Sequence, residues 1–303
     1  MAGQVLTNVP GMKSASAVPE LYARDLSEEV FNREYVATSR PCVIRGAVKH
    51  WAALDKWRDK EYLKSRSGHH PTSLFLCELH CTNKRIAGRE RAVTFAEAIE
   101  HLHSEQTERG IVGFPIPAEL LPDLGSFSFL GKTDPAFWYE VARGFFHRGA
   151  GTAWHLHQFD ETLSCQIVGS KKFGLVSSNH PLNFDLRYIF LTEDYYDDPA
   201  AFAELGGGNL SWLTVTLEEG DALYIPPLWW HGTAPQTNSF GITTAMTWRS
   251  PPHVIANGII RMARGEIDMF GRTSAPNFNA LAEVARKLGL EREFAIAASS
   301  SPF

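Results

Sequence analysis

The run Glu219-Gly220-Asp221-Ala222-Leu223-Tyr224-Ile225-Pro226-Pro227-Leu228-Trp229-Trp230-His231 holds a turn, a strand and a break in quick succession. Glu219-Gly220-Asp221 carries turn chemistry, and Ala222–Ile225 is a continuous apolar strand signal. The two prolines end that strand, because proline has no N–H to give to a sheet. Trp229-Trp230-His231 then reads as the end of the strand, just past the break. Upstream, Leu213-Thr214-Val215-Thr216-Leu217 alternates with the period of a half-buried strand, and downstream Phe240–Trp248 supplies another. Leu163–Val168, then Gly169-Ser170, then Lys171–Val176 reads as a hairpin closed by a two-residue turn. From about Gly110 these short strands follow one another at close spacing, the pattern of an antiparallel sandwich or barrel.

Outside residues 110–250 the period changes. Residues 1–18, rich in Gly, Ser, Ala and Pro and without periodicity, are expected to form a flexible tail. Residues 19–109 read as a mixed α/β lead-in packed on the barrel. Asp25 or Ser27 caps a helix reaching about Thr38, Pro41–Gly46 is a short strand, a helix lies near Asp59–Ser65, and Thr94-Phe95-Ala96-Glu97 is a capping box. Residues 251–303 return to helical spacing over 252–265 and 277–289. Those helices are expected to make a homodimer interface, with padding of a monomer's barrel as the alternative. The fold class is thus mainly β with flanking helices.

Composition narrows the function classes. The chain has 303 residues, 44% hydrophobic and 21% charged, which is ordinary globular usage and excludes a disordered or collagen-like polymer. A net charge of −5 creates no global positive field for nucleic acid or anionic lipid. The first residues lack the basic and apolar regions of a signal peptide, and no stretch approaches the ~20 apolar residues of a membrane span, so a cytoplasmic setting is expected, or a nuclear one in a eukaryote. Cys77 and Cys81 with His80 between them suggest zinc, but the segment reads better as a strand and no second ligand pair follows.

Three of the 12 histidines form a different pattern. His155 and His157, at i and i+2 on a strand, leave the same face and are able to converge on one ion. His231 lies at a strand end that an antiparallel barrel brings alongside them. Three imidazoles in this arrangement point to a metal site.

Gly151-Thr152-Ala153-Trp154-His155-Leu156-His157, Gln166–Lys172 and Glu219–His231 resemble the JmjC, or cupin-8, oxygenases, and Phe31–Trp57 is similar to their lead-in segment. The resemblance spans roughly residues 20–250. It implies a double-stranded β-helix, a jelly-roll or cupin barrel with the metal inside, and a dioxygenase that uses Fe(II) with 2-oxoglutarate as co-substrate to hydroxylate a C–H bond. The family motif is His-x-Asp with a distant His, and here His157 stands in place of the aspartate. This matches a divergent His-x-His branch of the family. Asp160 is the nearest carboxylate and the alternative ligand, although three residues beyond His157 on a strand it faces the other way without a bulge.

The exchange changes the charge at the ion. Two imidazoles and a carboxylate leave a divalent metal at +1, whereas three imidazoles leave it at +2, a site that also suits copper or zinc in vitro. The resemblance further assigns Lys171 to the distal carboxylate of 2-oxoglutarate, Thr152 to the assisting hydroxyl, and Thr162 to the place of the family's co-substrate asparagine. It leaves the substrate open between a protein side chain and a small molecule. Two other readings go with the His157 exchange: a non-catalytic metal-binding scaffold of the same fold, and a three-histidine oxygenase that does not use 2-oxoglutarate.

Overall fold

The computed structural model describes residues 11–77, 79–80, 89–130, 142–157, 160–177, 210–248 and 250. Among them residues 11–115 supply β1 (Ser16–Ala17), β2 (Glu20–Tyr22), β3 (Cys42–Arg45), β4 (Pro71–Phe75), β5 (Leu79–His80), β6 (Glu90–Thr94) and β7 (Gly110–Pro115). The barrel region supplies β8 (Arg143–Arg148), β9 (Gly151–Thr152), β10 (Glu161–Val168), β11 (Lys171–Ser177), β12 (Leu213–Leu217), β13 (Ala222–Ile225), β14 (Trp229–Pro235) and β15 (Phe240–Trp248). A nine-stranded sheet runs β2-β3-β13-β10-β15-β8-β7-β4-β6, and a four-stranded sheet runs β1-β12-β11-β14.

The chain alternates between these sheets at its corners. β10 lies between β13 and β15 in the large sheet, while β11 lies between β12 and β14 in the small one. The hairpin expected at Gly169-Ser170 is therefore a corner, and its two strands do not pair. Every residue of β10 is buried, so the strand needs neighbours on both edges and cover on both faces, which a hairpin to β11 does not provide. A register shift between Gln166 and Val168 and a positive φ of 75° at Gly169 turn the chain from one sheet to the other. The same crossing recurs from β12 to β13 at Gly220 (φ 89°) and from β13 to β14 at Leu228 (φ 63°). Two facing sheets exchanging strands in this way form the double-stranded β-helix. Val43, Leu223 and Ile225 of the large sheet close on Phe173, Leu175, Val215 and Leu217 of the small one.

Trp229, Trp230 and His231 begin β14 instead of ending β13, because Leu228 in the left-handed region swings the chain across first. Asp221 ties this corner to the lead-in. It accepts from Arg45 Nη1 at 2.7 Å, from the Gly46 N–H at 2.9 Å and from the Glu218 N–H at 3.3 Å.

On the outer face of the large sheet pack α1 (Glu28–Phe31), α2 (Ala53–Lys56), α3 (Lys60–Ser67) and α4 (Phe95–His103). Ser27 caps α1, which continues as a wider helical turn over Asn32–Val36 and stops short of Thr38. Thr94 and Glu97 form the expected capping box of α4. Phe31 meets Tyr224 at a centroid distance of 5.1 Å, and Trp57 and Phe95 meet Phe146 of β8 at 6.0 and 4.9 Å.

The expectation of a flexible tail through residue 18 fails for its described part. Ser16 and Ala17 pair in parallel with β12, Val18 is buried between the sheets, and Met12 lies under Trp154 on the outer face of the small sheet. The edge of β12 would otherwise expose unpaired backbone groups, and single anchoring residues leave no periodic trace. Trp154, Trp212 and Trp230 fill the same outer cluster and are part of the core. The C-terminal helices and the dimer interface expected of them, as well as Cys81, lie outside the described residues.

Candidate metal centre

The chain from Gly151 to His157 runs across the mouth of β14. Gly151 is required there, since a Cβ would run into the Thr233 carbonyl. The Thr152 N–H donates to Thr233 Oγ1 at 2.8 Å, and the two hydroxyls lie 2.9 Å apart. His155 and His157 do not belong to a regular strand, as the sequence suggested. His155 instead forms a single antiparallel bridge with His231, with backbone N–H···O distances of 3.0 and 2.8 Å. The His157 carbonyl accepts from the Leu228 N–H at 2.7 Å. The left-handed turn at Leu228 is thus fastened to the segment it must face.

The three rings come together. His155 and His231 have centroids 4.2 Å apart, His157 and His231 5.1 Å, and His155 and His157 5.3 Å. One nitrogen of each lies within 4.8 Å of the others. Each Nδ1 is engaged by the protein. That of His155 donates to the Ala153 carbonyl at 2.8 Å, that of His231 to the Trp229 carbonyl at 2.9 Å, and that of His157 lies 2.6 Å from Thr162 Oγ1. A carbonyl only accepts, so Nδ1 carries the proton in His155 and His231, and Nε2 keeps its lone pair. Burial lowers all three pKa values, that of His157 to about 3, and the neighbouring rings push His157 and His231 further down. Near neutral pH the group presents uncharged imidazoles, the form that binds metal.

Asp160 is partly buried and is not among the residues whose donor atoms gather here. Thr162, matched in the sequence to a co-substrate contact, is buried with its hydroxyl on His157. Thr152 holds Thr233.

Lys171 is only 2% exposed. It starts β11 opposite Leu217 and Pro235, on the same face as Leu175, which stands opposite His231. The step of four residues from one position to the other spans about 13 Å of strand. No carboxylate among the described residues pairs with the ammonium, and burial alone depresses its pKa to about 7. One side of the barrel interior is apolar, with Leu223 and Ile225 facing Phe173 and Leu175. The other carries Thr162, Gln166, Thr243, Lys171 and His231. Gln166 and Thr243 escaped the sequence reading, although strand parity from Thr162 and from Thr247 opposite it places both on the interior face.

These donors fit a divalent metal with an acidic ligand beside it. The sequence matches the cupin-like domain family over residues 27–253. The chain belongs to that family. This cupin-like chain is 25% identical over 247 residues to lysine-specific demethylase 8 of Xenopus tropicalis, covering 78% of this chain and 54% of that protein. It is 23% identical over 252 residues to Jumonji C domain-containing protein 5 of Drosophila melanogaster, covering 75% and 59%. To the bifunctional peptidase and (3S)-lysyl hydroxylase of Homo sapiens it is 25% identical over 245 residues, covering 66% and 75%. The chain spans little more than half the length of the first two. With demethylase and hydroxylase relatives and a histidine triad, the family is one of metal-dependent oxygenases. No helix among the described residues is long and apolar enough to cross a membrane.

Proposed function

We propose that the protein is an Fe(II)/2-oxoglutarate-dependent oxygenase that hydroxylates a C–H bond from a three-histidine metal site. The observation that carries this reading is Lys171, a buried lysine without a counter-charge among the described residues, in the same barrel as three neutral imidazoles. A buried ammonium is costly unless paired, and a dicarboxylate reaching from the metal supplies the missing charge.

The residues divide the work. His155, His157 and His231 hold the ion through Nε2, and the Ala153 carbonyl, Thr162 and the Trp229 carbonyl fix their rings. Lys171 binds the distal carboxylate, with the Thr152 hydroxyl assisting. The apolar side of the barrel keeps water out. Fe(II) with 2-oxoglutarate would supply O₂ activation, the overall balance placing one oxygen atom in the C–H bond and the other in succinate, with CO₂ released. Three neutral ligands leave the ion at +2, and the dianionic co-substrate offsets that charge. The relatives' names, a lysine-specific demethylase and a lysyl hydroxylase, support a protein side chain over a small molecule as the substrate.

His157 in place of a carboxylate favours a second reading, a three-histidine oxygenase that does not use 2-oxoglutarate, or a metal-binding scaffold without activity. Anaerobically purified protein, loaded with Fe(II) and given 2-oxoglutarate and O₂, separates them. Succinate release matched to O₂ uptake supports the proposal, and bound iron with no succinate overturns it.

A further inference from the structure

Away from the histidine triad, the polar side of the barrel holds a second buried group without partners. In β8 and β15, His147 stands opposite Gly241 and Phe145 opposite Thr243. Thr243 in turn stands opposite Gln166 and donates to its Oε1 at 2.9 Å. His147 therefore shares the interior face with Thr162 and Gln166, while its neighbour Phe146 turns outward to Trp57 and Phe95. A Cβ on Gly241 would lie 2.6 Å from His147 Cε1, 2.8 Å from Nε2 and 3.2 Å from the Val168 carbonyl. The ring thus lies across β15 toward the corner that leads into Lys171.

Both ring nitrogens of His147 are buried with no hydrogen-bond partner among the described residues. Native proteins leave few such atoms unpaired, and an imidazole with both nitrogens orphaned beside a corner holding an unpaired lysine is a matched deficit. Burial, and then the nearby Lys171 ammonium, hold the ring neutral. Two donors without acceptors, one of them cationic, call for an anion with two oxygens.

Resting on the 2-oxoglutarate reading above, we infer that His147 is a second ligand of the distal carboxylate, forming with Lys171 a two-donor cradle at the far end of the barrel. Lys171 neutralises one oxygen and the His147 N–H donates to the other. Gly241 is then the residue that lets the ring reach it. The cradle selects 2-oxo acids that carry a distal carboxylate.

The test is calorimetric titration of Mn(II)-loaded protein, without O₂, with 2-oxoglutarate and with 2-oxopentanoate, which has the same carbon chain but no distal carboxylate. His147→Leu should weaken 2-oxoglutarate about tenfold and leave 2-oxopentanoate unchanged. Gly241→Ala, which pushes the ring aside without removing it, should lower the same affinity ratio and serves if His147→Leu does not fold. A ratio unchanged in the folded variants, or equal losses for both acids, overturns the role of His147. In that case a Lys171→Ala variant that still loses 2-oxoglutarate leaves the co-substrate reading standing. If the parent protein binds no 2-oxoglutarate, both fall.

Discussion

Among the described residues two groups each bring three ligand-type side chains within 4.8 Å, His155 with His157 and His231, and His69 with His70 and Glu119. By residue type they are near equivalents, and they differ in what their donor atoms already do. In the first, every Nδ1 is engaged by a protein oxygen, which leaves the Nε2 lone pairs of His155 and His231 free and gathers one nitrogen of each ring within 4.8 Å of the others. In the second, His70 Nε2 lies 3.1 Å from Glu119 Oε2, and the His69 and His70 rings are tilted with centroids 4.2 Å apart, His69 being exposed and the other two half-buried. Glu119 is held below its usual pKa by a backbone hydrogen bond and by His70, so it is satisfied without an ion. A binding site is recognised by atoms that burial leaves waiting, more than by its residue types.

The largest test of this contrast removes a ligand. His157→Ala should cost more than 100-fold in Fe(II) affinity, beyond the 10–100-fold of an outer-partner loss, while His157→Asp rebuilds a two-histidine, one-carboxylate face and keeps iron. Asp160→Ala should leave the metal in place. Metal stoichiometry after dialysis reads all three, and a full equivalent retained by His157→Ala would break the comparison.

Lys171→Ala comes next. A charge-assisted hydrogen bond is worth about 1.5–3 kcal/mol, so 2-oxoglutarate should bind about 10- to 100-fold more weakly with metal binding unchanged. Equal affinity for parent and variant would return Lys171 to the ordinary core. Thr162→Val, which takes the oxygen from His157 Nδ1, should weaken metal binding about tenfold in an equilibrium competition with a chelator. No change there would show that the ring needs no outer partner.

A pH titration sharpens the same point. Burial lowers Lys171 to about 7 in the folded protein, against about 10.4 in an unfolded chain. The unfolded state binds the extra proton between these values, so the ligand-free protein gains stability as pH rises from 7 toward 10. A carboxylate ligand prefers the ammonium, so 2-oxoglutarate affinity should fall about fivefold from pH 7 to pH 8. The three metal-site rings are neutral throughout this range and do not contribute to the change. A flat profile would mean that Lys171 is already charged and paired. The smallest expected effect is at the outer group, where His70→Ala should change neither metal content nor 2-oxoglutarate affinity. Loss of a bound equivalent there would erase the distinction between the two groups.

The strands and the triad were largely legible. Alternation marked Leu213–Leu217, the prolines marked the end of Ala222–Ile225, and the Thr94/Glu97 box marked α4. The i, i+2 spacing of His155 and His157 together with His231 named the three residues that gather. What escaped was the use made of neighbouring residues. Asp221, in the most telling stretch of sequence, serves Arg45 and the backbone of Gly46, and Thr162 serves His157. His147 carried no local signal, because its importance is that nothing among the described residues pairs with it.

By itself the sequence determined the local elements, since strand period, proline breaks and helix caps act within a few residues of chain. It also named the histidines, whose chemistry belongs to the residue type. Tertiary structure alone decided that Gly169-Ser170 is a corner between sheets and not a hairpin. The same two residues serve either geometry, and the choice lies with β10, which must be paired on both edges and covered on both faces. That choice sends β11 and β14 into the opposite sheet and carries His231 to His155 and Lys171 to the corner near His147. Which polar groups end up buried without partners depends on the whole set of strand neighbours, and no window of sequence contains it.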